Sequence, residues 1–225
     1  LMAPLGWMPF PLAVLVWAFI NIFIVGLALI FAWDLSPTKK EDRGFPLIMV
    51  MGFFFAPTIV LIGMGQISSL VLLGIMLSIW FFEKNQDYLA GCALLLTTIK
   101  PHLSYFFLIM VLVWIITNRR WKIIGGVLIA TTISLGVFSM IQPGWLEDYI
   151  SLIRSMPYTQ IYTSTLGSLM DAIFRTKVFY FSAILVFPFL RSLISIIKKE
   201  GWLIPANFSL LIGIPISPFA SYLIK

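Results

Sequence analysis

Residues 63–102 read GMGQISSLVLLGIMLSIWFFEKNQDYLAGCALLLTTIKPH. The stretch holds two apolar segments, and its polar residues gather at their ends. Gly65-Gln66 opens the first segment, Glu83 to Asp87 separates the two, and Lys100-Pro101-His102 closes the second. An apolar protein tolerates such residues least. They read as the floor of a site on the outer side of a membrane.

The composition of the whole chain supports a membrane setting. Hydrophobic residues make up 60% of the 225 positions and charged residues 11%, with a mean hydropathy of +1.03. A soluble domain carries roughly 25% charged and about half apolar residues. A chain this poor in charge cannot cover its surface with polar groups, so that surface faces lipid. The net charge of +6 does not point to nucleic acid. The Lys and Arg residues stand in short clusters between apolar runs, where they orient spans, and no basic stripe interleaves with exposed aromatics. Cys92 is the single cysteine, which excludes an internal disulfide. The spans themselves target the chain, so no signal peptide is required. Beginning at Leu1 and stopping at Lys225 just after an apolar run, the chain reads as an internal fragment of a longer protein, with residues 1–225 as a single transmembrane domain.

About 20 apolar residues cross a hydrocarbon core of about 30 Å as a helix. Pro11 to Trp33 is the first such span, entered through PLGWMPFP and followed by the charged loop DLSPTKKEDR. Pro46 to Met64 is the second, with Pro57 as a kink, and Ile67 to Phe82 is the third. Tyr88 to Ile99 has only a dozen residues, about 18 Å of helix, and Leu103 to Thr117 is scarcely longer. Lys100-Pro101-His102 is then the tip of a helical hairpin. Two short legs would place that tip below the membrane surface. After the basic loop NRRWK comes a span from Ile123 to Ile141 containing Gly125-Gly126.

Residues 142–177 form the long connection. Trp145, Tyr149, Ile150, Ile153 and Met156 share one helical face; Glu147, Asp148, Ser151, Arg154 and Ser155 share the other. That is the pattern of an interfacial amphipathic helix, ended by Pro157. Leu166, Leu169, Met170, Ile173 and Phe174 mark a second. Val178 to Ile197, with Arg191 snorkelling near its end, and Leu203 to Tyr222 complete about eight spans. The expected fold is an all-α polytopic membrane helical bundle with interfacial helices.

Alternate loops carry Lys39, Lys40, Arg43, Lys84, Arg119, Arg120, Lys122, Arg191, Lys198 and Lys199, whereas the opposite side carries only Lys100, Arg154, Arg175, Lys177 and Lys225. The excess of basic residues makes the first side cytoplasmic. Gln66, Lys100, the long loop and the turn from Ser217 to Tyr222 then face outward, and a site built from them is extracytoplasmic.

Lys100 is the leading candidate. A charge near membrane depth costs roughly 2.5 to 3.5 kcal/mol even on insertion scales and marks function by default. It could bind an anionic headgroup such as a lipid phosphate; the plain alternative is an ammonium that snorkels to water. His102 could be a second phosphate donor or an acid/base group, or only a polar tip. Gln66, flanked by Gly63 and Gly65, opens a helix where backbone or ligand can approach closely. Its amide can read a sugar hydroxyl, or simply begin a turn. Neighbouring Glu147 and Asp148 do not face one another on a helix, so they make no acid/base dyad by themselves. No second His or Cys stands at metal-ligand spacing, so neither a metal nor a cofactor is expected. Catalytic triads, Walker loops and GxGxxG patterns are absent from the sequence.

At GMGQISS, LAGCALLLTTIKPH and NRRWK the chain resembles glycosyltransferase family 87, membrane enzymes of the GT-C fold. PLGWMPFPLAVLVWAFIN is similar to the family's proline-rich approach to a span. QPGWLEDYISLI and YTSTLGSLMDAIF are similar to its outer loop, and SPFASY to its serine-proline turn. The resemblance implies transfer of a sugar, commonly mannose, from a polyprenyl-phosphate donor to a lipid or glycan acceptor outside the cytoplasmic membrane. It also implies an inverting displacement assisted by an aspartate of the first outer loop. That loop would precede Leu1, so the catalytic residue is unknown within this chain. Phe219 stands where a histidine is expected. What carries over is donor phosphate and sugar binding by Lys100, Gln66 and His102, with the lipid-linked sugar as co-substrate. A lipid or glycolipid transporter or flippase without group transfer is the alternative, because broken helices near the bilayer interior also line transport sites.

Overall fold

The computed structural model describes residues 3–36 and 44–155. Their regular structure is helical, with no strand among the described residues. A short 3-10 turn, Ala3–Trp7, leads into α1, Phe10–Asp34. Pro11 sits in the first turn of α1, where its missing N–H costs nothing. At 25 residues α1 is about 37 Å long, enough to cross the apolar core with some tilt. Phe19 is 70% exposed and Phe23 66% exposed on it. Bare aromatic faces of this kind are unfavourable in water and favourable in lipid.

Helices α2 (Gly44–Phe54) and α3 (Ala56–Gly63) form one apolar segment bent by 56°. Pro57 causes the break, because its ring clashes with the carbonyl four residues earlier and it has no N–H to give. Phe55 is accordingly extended, with φ −62° and ψ 124°. The expected kink is present, with the chain opening two residues before the proline. Next come α4 (Ser68–Glu83), α5 (Asp87–Thr97), α6 (Pro101–Asn118), α7 (Lys122–Ile141) and α8 (Trp145–Ser155). Among the described residues α1 and α7 are long and apolar enough to cross a membrane, and the bent α2–α3 pair is a third candidate. The other segments expected as spans, α4, α5 and residues 103–118 of α6, are apolar but shorter. The second amphipathic helix and the last two expected spans lie outside the described residues.

Two of these boundaries correct the expected hairpin. Helix α6 begins at Pro101, so Pro101 and His102 form its first turn and only residues 98–100 connect it to α5. Proline favours this position because its φ is preset for a helix whose first N–H groups lack intrahelical partners. With 18 residues α6 is about 27 Å long. Helix α5, with 11 residues, is the shorter of the two legs.

The chain divides into two compact units. The first comprises residues up to Ile99 together with Lys122–Ala130. In it α4 packs between α1 and α5. Val71, Gly74, Ile75, Ser78, Ile79 and Phe82 are buried on α4 at three- and four-residue spacing, the stripe one helix presents to another. A Cβ added at Gly74 would stand 2.7 Å from Leu96 Cβ and 3.0 Å from the Ala93 carbonyl oxygen, so glycine sets how closely α5 approaches. On its other side α5 meets the start of α7 backbone to backbone. A Cβ at Gly91 would meet the Ile123 carbonyl, and one at Gly126 the Tyr88 carbonyl. Cys92 Sγ also donates to the Gly126 carbonyl at 3.5 Å. Such small-residue crossings replace the hydrophobic driving force that lipid removes between helices.

The second unit comprises Lys100–Trp121 and the residues from Thr131 onward. Ser104, Phe107, Val111, Trp114 and Ile115 are buried along one stripe of α6. Its C-terminal Arg119 adopts a left-handed conformation, φ 55°, and the Arg120 guanidinium lies 4.7 Å over the Trp114 ring. Helix α8 matches the amphipathic helix expected over these residues. Trp145 at its start donates to Ser139 Oγ at 3.2 Å and lies 6.2 Å from the Phe138 ring.

Candidate functional site

The turn between α3 and α4 carries one part of the candidate site, Gln66. Helix α3 ends in a Schellman motif: Gly65 N–H donates to the Ile62 carbonyl at 3.0 Å and Gln66 N–H to the Leu61 carbonyl at 2.9 Å. That motif needs a left-handed residue, and Gly65 supplies it with φ +61°. Two residues of α1 then clasp the turn. Trp17 Nε1 donates to the Gly65 carbonyl at 2.7 Å. Asn21, fully buried, donates from Nδ2 to the Trp17 carbonyl at 3.1 Å, and its Oδ1 accepts from Ser69 Oγ. Ser69 is likewise fully buried, in the first turn of α4.

Gln66 follows Gly65 directly and is half-buried. Its Oε1 accepts from Ser68 Oγ at 3.3 Å, and its Nε2 reaches Met64 Sδ at 3.9 Å. The side-chain amide thus sits on a backbone fixed from both sides, presented from a turn and not from a helix face.

Lys100 is the N-cap residue of α6, with φ −130° and ψ 78°, outside both flanking helices. Its carbonyl accepts from Leu103 N–H at 3.0 Å, and its side chain is partly buried. That burial lowers the ammonium pKa from its ordinary 10.5. His102 is the second residue of α6. The level at which α5 ends follows from the α4–α5 hairpin. Thr97, the last residue of α5, packs at the level of Gly74: its Cγ2 lies 3.2 Å from the position of a Gly74 Cβ. Gly74 is six residues past the start of α4, so α5 stops about 9 Å short of that start. Gln66 belongs to the first unit, Lys100 and His102 to the second.

Glu147 and Asp148 occupy the first turn of α8, both exposed, and Gln142 Nε2 donates to Asp148 Oδ2 at 3.4 Å. Carboxylates there complement the helix dipole and form a solvated face. Trp17, Asn21 and Ser69 are the residues that sequence reasoning passed over. Asn21 did leave a signal, as the one amide inside an otherwise apolar run, four residues after Trp17.

The family model of glycosyltransferase family 87 matches residues 1–214, nearly the whole chain. The chain belongs to glycosyltransferase family 87. No curated protein and no solved structure matches it. A family 87 glycosyltransferase moves a sugar from a donor to an acceptor at a membrane, and the apolar helices described above suit that setting. The resemblance drawn from GMGQISS, the α5–α6 connection and NRRWK therefore names the right family.

Proposed function

We propose that this family 87 glycosyltransferase has the GT-C fold and takes mannose from a polyprenyl-phosphate donor. The acceptor is a lipid or glycan on the extracytoplasmic side of the cytoplasmic membrane. The observation that carries the reading is the short α5, which ends about 9 Å short of the start of α4 and is followed three residues later by Lys100. A lysine three residues past the end of so short a helix is a candidate contact for an anion, and a lipid-linked phosphate brings one to the membrane interface. Pro101 and the first turn of α6 add the positive end of a helix dipole beside it.

In this reading an acceptor hydroxyl attacks the anomeric carbon as the bond from that carbon to the phosphate oxygen breaks. The hydroxyl proton leaves to a base, and polyprenyl phosphate departs carrying the bonding electrons. Lys100 stabilises the negative charge that grows on the leaving phosphate, and a cation aimed at developing charge is usually the largest single contribution to rate. His102 is a second donor to the phosphate, and the Gln66 amide reads a hydroxyl of the sugar. The amphipathic α8 lies at the interface, where it positions donor or acceptor lipid.

The test is turnover of the intact protein in vesicles, with a radiolabelled polyprenyl-phosphate sugar and a membrane-lipid extract. Lys100→Ala should lower transfer about a hundredfold or more, the scale set by removing one transition-state donor, while thermal unfolding stays near wild type. Full turnover by that variant would remove Lys100 from the mechanism. Label that crosses the bilayer unchanged would mean a carrier.

A further inference from the structure

The clasp between α1 and the α3–α4 turn is more elaborate than helix packing requires. A fully buried Asn21 spends both ends of its amide, one on the Trp17 carbonyl and one on Ser69, and Trp17 spends its only polar hydrogen on Gly65. The Trp17 bond ends on the carbonyl of the residue just before Gln66, and the Asn21–Ser69 bond holds α1 to the first turn of α4, three residues further on. A Cβ at Gly65 would lie 3.2 Å from Trp17 Cδ1, so the indole also walls the turn and limits how far it can shift. We propose that Trp17 and Asn21 are positioning residues that act through Gln66, fixing the amide where the sugar of the donor is read and so setting donor specificity. This inference rests on the reading of Gln66 given under the proposed function.

The physical argument is one of preorganisation. A turn residue without a clasp samples several orientations, and a ligand must then bear the cost of ordering it. Lipid offers no competing donors or acceptors, so a buried amide there holds its partners strongly or is left unsatisfied. An Asn inside an apolar helix is expensive unless its bonds serve a purpose. Here they tie the first span to the turn that carries the candidate sugar contact.

The experiment measures donor KM and kcat of the intact protein with a polyprenyl-phosphate sugar, for wild type, Trp17→Phe, Gln66→Ala and the double variant. Phenylalanine keeps an aromatic ring near Gly65 while removing the N–H donor and part of the indole's volume, so Tm is measured alongside. Trp17→Phe should raise donor KM about threefold to tenfold, the range that one hydrogen bond spans, with a smaller change in kcat. In the Gln66→Ala background the same substitution should add almost nothing, because residues that act through one another are not additive. An unchanged KM with a lowered Tm would overturn the inference, and so would a full, additive effect in the double variant. If Gln66→Ala alone leaves donor KM unchanged, the sugar contact at Gln66 falls and the positioning role with it, while Lys100→Ala still reports separately on the phosphate. Should Trp17→Phe not yield folded protein, Ser69→Ala removes one hydroxyl at the far end of the same clasp. It should raise KM in the wild-type background only, and a rise that persists without Gln66 would overturn the inference equally.

Discussion

At the scale of single residues, position matters more than type. Lys100 is one of fifteen Lys and Arg residues in the chain, and what distinguishes it is its place between a short helix and a helix-starting proline. Its partial burial lowers the ammonium pKa from 10.5, so the cation is lost at a lower pH than for a solvated lysine. Because only the cation attracts phosphate, donor affinity should weaken as pH rises through that lowered value. Lys100→Arg tests the sign directly, since a guanidinium stays charged throughout. The alkaline rise in donor KM should vanish in that variant, even if its ordinary KM is somewhat higher. A rise that survives in Lys100→Arg would assign the titration to another group. Gln66 shows the same dependence on place. A glutamine in a turn is unremarkable until Gly65 and the Trp17 bond to its carbonyl fix the backbone beneath it.

At the scale of elements, apolar runs and prolines located the helices well, because length and hydropathy decide where a backbone satisfies itself inside lipid. The bend at Pro57, the brevity of α5 and the amphipathic α8 were legible for that reason. The start of α6 was not, since a proline ends one helix or begins the next equally well. The clasp on the Gly65 turn was not read: Asn21 left a signal that was passed over, and its bond to Ser69 spans 48 positions that no local pattern connects. Glycine pairing was equally hidden. Gly125 and Gly126 adjoin in sequence, yet Gly126 is the one whose added Cβ would strike backbone, at Tyr88. Gly126→Ala should therefore cost about 2 kcal/mol or more, the penalty of overpacking where the neighbour cannot give way. Gly136→Ala, with nothing within 4 Å, should stabilise α7 by roughly 0.5 to 1 kcal/mol through helix propensity. Thermal unfolding of the two variants in detergent should move in opposite directions; a matching shift would mean that the α5–α7 crossing is looser than its backbone contacts indicate.

At the scale of the whole molecule, the reading depends on which ends of the helices share a side of the membrane. In the orientation proposed from the basic loops, residues 83–87 and 119–122 face the cytoplasm, and the Gly65–Gln66 turn, Lys100 and α8 face outward. The proposed chemistry depends on the same arrangement, because the lipid-linked donor proposed above would present its sugar on one face only. Single cysteines in a Cys92→Ser background can test it in whole cells with a membrane-impermeant maleimide. Gly63→Cys and Ser151→Cys should label from outside, whereas Asn85→Cys and Arg120→Cys should label only after the membrane is opened. All four sites lie in described residues outside the long apolar cores of α1 and α7. Labelling of Gly63→Cys and Arg120→Cys from the same side would break the alternation of spans on which the site depends. A complete reversal would keep the site intact and move it, with its donor, to the cytoplasmic face. The charge asymmetry would then be overridden by packing among the helices, and the donor sought would be one displayed inside the cell.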